Sequence, residues 1–308
     1  MENSRNNKPY NVTIIYDTPK EAEIVTHPVP ETVVAGIGAK KTLVPWQIAA
    51  LFGVVFTLLW TGGAFSWLWG GAVVVGKEAI AEEGDNGLLV GERWRKDDLI
   101  ALTLLASSND GAHALASAVE AFQKENETSA TPNQSSQSSD GTPVVEQSSL
   151  RGTAGQASQE IPFVEMMNAR AKDLGMNQTY FLNAAGLDAQ KNESGAYGSA
   201  RDVAALLEYI LRTSPGIFAA TPYEKMTFTS RDGIAHNAKN TNEQMAAIPG
   251  LVASKTGFTD LAGGNLAIIF EAGPMYPVAV VVLGSSVEGR FNDVAHLVSA
   301  TLARLNQR

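Results

Sequence analysis

There is no cysteine in the 308 residues. That excludes a disulfide framework and a thiol nucleophile, and it leaves the compartment open. Histidine is scarce: the four present stand at neither H-x-x-x-H spacing nor beside a C-x-x-C pair. No metal-ligand pattern is visible, and no cofactor is expected. Positive charge is also short. Lys and Arg number 23 against 32 Asp and Glu, a net charge of -9, which excludes the basic footprint of a nucleic-acid binder. No internal repeat is found. Charge of either sign is missing altogether from residues 43–76.

What fills that uncharged stretch is apolar. Ile48, Leu51, Phe52, Val54, Val55, Phe56, Leu58, Leu59, Phe65 and Leu68 lie between Trp46 and Trp69. A membrane span needs roughly 20 apolar residues, and the run is long enough. Trp46, Trp67 and Trp69 stand near its ends, where indole rings favour the interface. Lys40 and Lys41 precede it, and the residues after Lys77 are mostly acidic. Positive-inside bias then predicts a single-pass cell-membrane protein with a cytoplasmic N-terminus and an extracytoplasmic bulk. A cleaved signal peptide would start nearer the N-terminus, and a buried core helix would be shorter.

The domain boundaries follow. Residues 1–42 are polar and Pro-interrupted, predicting a mostly disordered cytoplasmic tail. Within it, residues 11–16 and 23–26 could pair as a hairpin across the turn at 17–20. Residues 43–72 form the expected transmembrane anchor, and 73–308 the main domain. In that domain a helix is predicted from an Asp97 N-cap, with a break at Ser107-Ser108-Asn109-Asp110 and a second helix through Leu115, Val119 and Phe122. Residues 124–160 are rich in Ser, Gln, Thr, Asn and Gly, predicting a disordered insertion. Helical periodicity resumes at Phe163, Met167, Ala171 and Leu174, with Gly175 as C-cap. Ser199-Ala200-Arg201-Asp202 reads as a capping box. Two apolar runs, 266–270 and 278–283, flank Gly273-Pro274 and predict antiparallel buried strands. A last helix runs through Val294, Val298, Leu302 and Leu305. Helices and strands around one sheet give an α+β class.

Two short motifs carry chemistry. Lys255-Thr256-Gly257 leads into the first strong strand. Its ammonium is a fixed positive charge, its hydroxyl and backbone N–H groups can hold a carboxylate or oxyanion, and its glycine permits close approach. Ser107-Ser108-Asn109 is an S-x-N set at an inter-helix break, where a hydroxyl and an amide can hydrogen-bond a substrate amide and a lysine. Taken singly, the first also reads as a solvated lysine and the second as a helix cap and turn.

In order, the two motifs match the second and third of the S-x-x-K, S-x-N, K-T-G set of penicillin-binding proteins and class A β-lactamases. The flanks narrow the match: Glu82-Glu83-Gly84-Asp85-Asn86-Gly87-Leu88 with Gly91-Glu92; Phe163-Val164-Glu165-Met166-Met167-Asn168-Ala169 with Leu174-Gly175-Met176; Gly186-Leu187-Asp188; Asn240-Thr241-Asn242; and Phe258-Thr259-Asp260 after the K-T-G. From about Val73 onward, outside 124–160, the chain resembles the D-alanyl-D-alanine carboxypeptidases. That resemblance implies a β-lactamase-like α+β fold, with an antiparallel sheet carrying K-T-G on an edge strand and a helical part carrying S-x-N. It implies serine-type acyl transfer on the D-Ala-D-Ala terminus of a peptidoglycan stem peptide, with β-lactams as inhibitors. Ser107 would relay a proton, Asn109 would position substrate, and Lys255, Thr256 and Gly257 would bind the terminal carboxylate.

The first motif of the set is missing. No serine in the chain has a lysine three residues later, and at the nearest candidate, Ser66, Trp69 occupies the lysine position. The family's first strands, expected before that nucleophile, are also not evident between the apolar run and Val73. The sequence therefore predicts a fold incomplete on its N-terminal side and a chain without the usual acyl-enzyme chemistry. Three readings stand beside an active carboxypeptidase: a membrane-anchored pseudoenzyme that binds stem peptide or a partner, a β-lactamase-like hydrolase, and the product of a truncated or misassembled gene.

Overall fold

A computed structural model describes residues 12–17, 25–26, 32–36, 44–45, 72–80, 87–130 and 161–307. Thirteen strands and five α-helices are described. The strands are β1 (Val12–Asp17), β2 (Val25–Thr26), β3 (Thr32–Gly36), β4 (Val44–Pro45), β5 (Val73–Val74), β6 (Arg93–Trp94), β7 (Tyr180–Phe181), β8 (Ala196–Gly198), β9 (Lys225–Thr229), β10 (Ala235–Lys239), β11 (Leu251–Thr259), β12 (Gly263–Glu271) and β13 (Pro277–Ser285). The helices are α1 (Lys96–Ala106), α2 (Asn109–Ala130), α3 (Ile161–Asp173), α4 (Ala200–Thr213) and α5 (Gly289–Leu305).

The main sheet has the order β11-β12-β13-β1-β3-β2. Its C-terminal half is the expected antiparallel meander, closed by Met275 in the left-handed region between β12 and β13. β12 and β13 read as unbroken apolar runs because both faces of the sheet are covered, so alternate side chains each find a core. Ala267, Ile269, Ala279 and Val281 turn to a core shared with Leu99, Leu102 and Leu105 of α1, Phe163 and Met167 of α3, and Leu206, Leu207 and Ile210 of α4. Leu266, Ile268, Phe270, Val278, Val280 and Val282 turn the other way, onto Phe291, Val294, Leu297 and Val298 of α5. Each Val, Leu, Ile, Met or Phe side chain so buried stabilises the fold by about 1.5–3 kcal/mol.

The local signals were largely sound. Gly175, at φ 72, closes α3 with Met176 N–H on Ala171 O and Gly175 N–H on Lys172 O, the paired bonds of a Schellman end. Ser199 caps α4, its hydroxyl accepting from Asp202 N–H. The Asp202 carboxylate does not reach back to complete the box. It accepts from Gln178 N–H and Thr179 Oγ1, tying α4 to the turn after α3. The α1 N-cap is Arg95, not Asp97, and no side chain caps it.

Four expectations need correcting. The sheet is mixed, because β1 runs parallel to both β13 and β3. The stretches expected to form a hairpin are strands, but they do not pair with each other: β3 lies between β1 and β2. Thus residues 12–36, assigned from sequence to a separate tail, supply three strands of the main sheet beside β13. Finally, α2 continues to Ala130 into the segment expected to be disordered; residues 131–160 lie outside the described residues.

The apolar run expected to span a membrane falls, over 46–71, outside the described residues. Val44 and Pro45, expected at its start, form β4 and pair with β8. Among the described residues, no helix is long and apolar enough to cross a membrane.

Candidate active site

The site is assembled where the end of α1 meets the outer edge of the sheet. α1 terminates at Ser107, its C-cap, with φ 56 and ψ 47 and its N–H on Thr103 O. Glycine is the usual residue in this left-handed conformation, which costs an L-residue with a Cβ roughly 1–2 kcal/mol. The strain is local: Ser108 N–H also bonds Thr103 O, and Ser108 Oγ accepts from Gly111 N–H to start α2. Gly111 permits the tight crossing, since a Cβ there would lie 2.1 Å from Thr103 Oγ1. The result is a half-buried Ser107 hydroxyl held off the helix end, with Asn109 at the first position of α2.

Lys255 approaches from β11, the edge strand of the main sheet among the described residues. Its Nζ donates to Ser107 Oγ at 2.6 Å and to Thr256 O at 2.5 Å. The two motifs, 148 residues apart in sequence, therefore meet. Lys255 is only 2% exposed. Burial brings its ammonium down to about 7, with the neighbouring Arg290 charge adding to the effect. A cation so placed is costly until an anion arrives, which is the electrostatic condition for a carboxylate site.

Thr256 and Gly257 are fixed by residues that the motifs alone do not reveal. Thr256 Oγ1 donates to Thr241 Oγ1 at 2.6 Å. Thr241 is presented by a turn that Asn240 organises, its amide donating to Thr221 O and Tyr223 O while its Oδ1 accepts from Asn242 N–H. Thr241 N–H bonds Leu105 O, tying this turn to α1. Arg290, near the start of α5, donates to Gly257 O at 2.9 Å. Asp188 holds the far end of β11, accepting from Thr259 Oγ1 and Leu261 N–H. Asn240, Thr241 and Asp188 stood within stretches that mark the resemblance; Arg290 gave no signal in the sequence. Ser254 is fully engaged with Thr221 and points into packing.

A second polar cluster supports α1 from below. The His236 ring nitrogen lies 2.7 Å from Glu92 Oε1, and Trp94 packs against the imidazole. Burial alone would raise the Glu92 carboxyl, but bonds from Leu89 N–H and His236 hold it below its usual range. This locks the β5–β6 ribbon onto β10.

The structure brings the Ser107 hydroxyl and the buried Lys255 cation together, with Thr256 and Gly257 next along β11; Asn109 stands two residues from Ser107, at the first position of α2. No group of His, Asp or Glu able to hold a metal occurs among the described residues. The family's S-x-x-K nucleophile has no counterpart in the chain.

Comparison with known proteins agrees with the motifs. Residues 153–287 match the model of the D-alanyl-D-alanine carboxypeptidase family. Over 128 residues the chain is 31% identical to D-alanyl-D-alanine carboxypeptidase DacA of Escherichia coli K12, covering 42% of this chain and 30% of that protein. Over 148 residues it is 32% identical to DacF of Bacillus subtilis 168, covering 45% and 34%. The matched stretch spans about a third of the length of these relatives. Among solved structures, a serine-to-alanine mutant of the Streptomyces K15 DD-transpeptidase aligns with a TM-score of 0.66 at 18% identity, over 89% of this chain and 94% of that one. The D-alanyl-D-alanine carboxypeptidase of Mycobacterium tuberculosis H37Rv gives 0.63 at 19%, over 87% and 86%. Penicillin-binding protein D2 of Listeria monocytogenes, solved in a cefotaxime-bound form, gives 0.60 at 22%, over 87% and 89%. The fold is that of the penicillin-binding proteins, and residues 153–287 are similar to the D-alanyl-D-alanine carboxypeptidases.

Proposed function

We propose that this protein recognises the D-Ala-D-Ala terminus of peptidoglycan stem peptides at the edge of β11, and that β-lactams compete for the same place. The observation that supports this most is the 2.6 Å contact between Lys255 and Ser107, which joins the S-x-N and K-T-G motifs into one cleft wall. Lys255 and Thr256 take the terminal carboxylate, Asn109 the peptide amide, and Gly257 the close backbone approach. No serine in the chain has a lysine three residues later, so this reading rests on binding and not on turnover by an S-x-x-K serine.

Calorimetric titration with a D-Ala-D-Ala-terminated peptide tests this reading. Saturable binding is expected, and Lys255→Ala should weaken it by at least ~10-fold, the loss of one charge-assisted contact. Equal affinity in the variant would remove Lys255 from the site and the reading with it.

A further inference from the structure

We propose that Ser107 is itself an acyl acceptor, a serine–lysine pair formed across the fold that takes the acyl group of a β-lactam or of a D-Ala-D-Ala-terminated peptide. This rests on the recognition reading above and goes beyond it, assigning to Ser107 a covalent role rather than a relay.

Two observations carry the inference. The sequence offers no serine with a lysine one helical turn on, so the usual way of activating a nucleophile in this fold is closed. The structure offers another: Lys255 Nζ lies 2.6 Å from Ser107 Oγ, within the reach a base needs. Ser107 is half-buried and held at a helix end in a left-handed conformation, a strained placement of the kind found at reacting groups. Ser254, the other serine beside Lys255, is 4% exposed and spent on Thr221, so it does not compete. Because burial, with Arg290 beside it, brings the Lys255 ammonium down to about 7, both forms are populated near neutral pH, the ammonium serving recognition of the carboxylate and the neutral amine the acyl step.

The step balances without any further reactant. Neutral Lys255 takes the Ser107 hydroxyl proton as Oγ bonds to the carbonyl carbon. The carbon–nitrogen bond breaks, and the same proton passes to the leaving nitrogen, the lactam ring nitrogen or the amine of the terminal D-alanine. In the return step Lys255 takes a proton from water, hydroxide attacks the ester, and Ser107 Oγ leaves and regains the proton.

The test is to incubate the full chain with a fluorescent penicillin, digest it, and locate the adduct by mass spectrometry. An adduct on the peptide carrying Ser107 is expected. It should be lost in Ser107→Gly, which keeps the left-handed backbone, with a thermal melt within a few degrees of the parent, and it should persist in Ser66→Ala. An adduct on Ser66 or any other residue would overturn the proposal. So would the absence of an adduct from a chain that still binds the D-Ala-D-Ala peptide saturably, and that result would leave the recognition reading standing. A chain that neither binds nor labels would overturn both.

Discussion

The two walls of the site place their polar groups by opposite means. On the sheet side, Lys255 is set deep in a well-packed edge, and its chemistry comes from desolvation of a charge. On the helix side, Ser107 is half-exposed, and its placement comes from backbone strain at the end of α1. Both residues work against the stability of their own surroundings, whereas Phe270 in the sheet and Gly111 in the helix crossing serve packing. The contrast teaches that the site is a pair of destabilised groups held by two stable frames, the usual position of function within a fold.

That contrast can be broken at either frame or either group. The largest effect is expected at the sheet frame. Phe270→Ala, fully buried against α5, should lower stability by about 3–5 kcal/mol in a denaturant titration. A loss below ~1 kcal/mol would mean that β12 does not pack on α5 as described.

Next comes the buried cation, where the sign reverses. Lys255 has a folded-state pKa near 7, below its ordinary value of 10.5. Below pH 7 both states are protonated, and the folded state bears the full penalty of a buried charge. Between 7 and 10.5 the unfolded chain holds the proton that the folded chain has lost, so stability rises with pH there. Lys255→Met should therefore be more stable than the parent at pH 6.5, by on the order of a few kcal/mol at ~1.4 kcal/mol per pK unit. The advantage should shrink as pH rises toward 10. Parallel pH profiles of the two proteins would refute the desolvated state of Lys255.

The smallest effect is expected at Ser107. Ser107→Gly relieves roughly 1 kcal/mol or more of left-handed strain and gives up about 1–2 kcal/mol of hydrogen bonding to Lys255. The melt should move by less than a few degrees. A large drop would show that the hydroxyl is structural and would recast the strain as a packing requirement.

Sequence and structure part company along the same divide. The β12–β13 hairpin was legible because its strands are neighbours in the chain, with a Gly273-Pro274 turn between apolar runs, whereas β11 as the edge strand followed only from the resemblance. Ser107 and Lys255 were legible as motifs, but their meeting depends on packing between α1 and the sheet, which no local pattern encodes. β1 was read as half of a hairpin because residues 11–16 and 23–26 are close in sequence. In the fold Thr13 pairs with Val278 and Val33, a parallel register set by partners far along the chain. Arg290 left no mark, since an arginine early in a helix is common and its partner, Gly257 O, is a backbone atom. The β9–β10 ribbon, with alternation interrupted by polar residues such as His236 and Asn237, was also missed.

The central claim is that Lys255 and its neighbours form a carboxylate site at the β11 edge. The most direct test compares a D-Ala-D-Ala-terminated peptide with the same peptide bearing a C-terminal amide, titrated into the protein at pH 6.5, where Lys255 is largely protonated. The free carboxylate should bind at least ~10-fold more tightly, as a charge-assisted contact requires. Equal affinity for acid and amide would contradict the account.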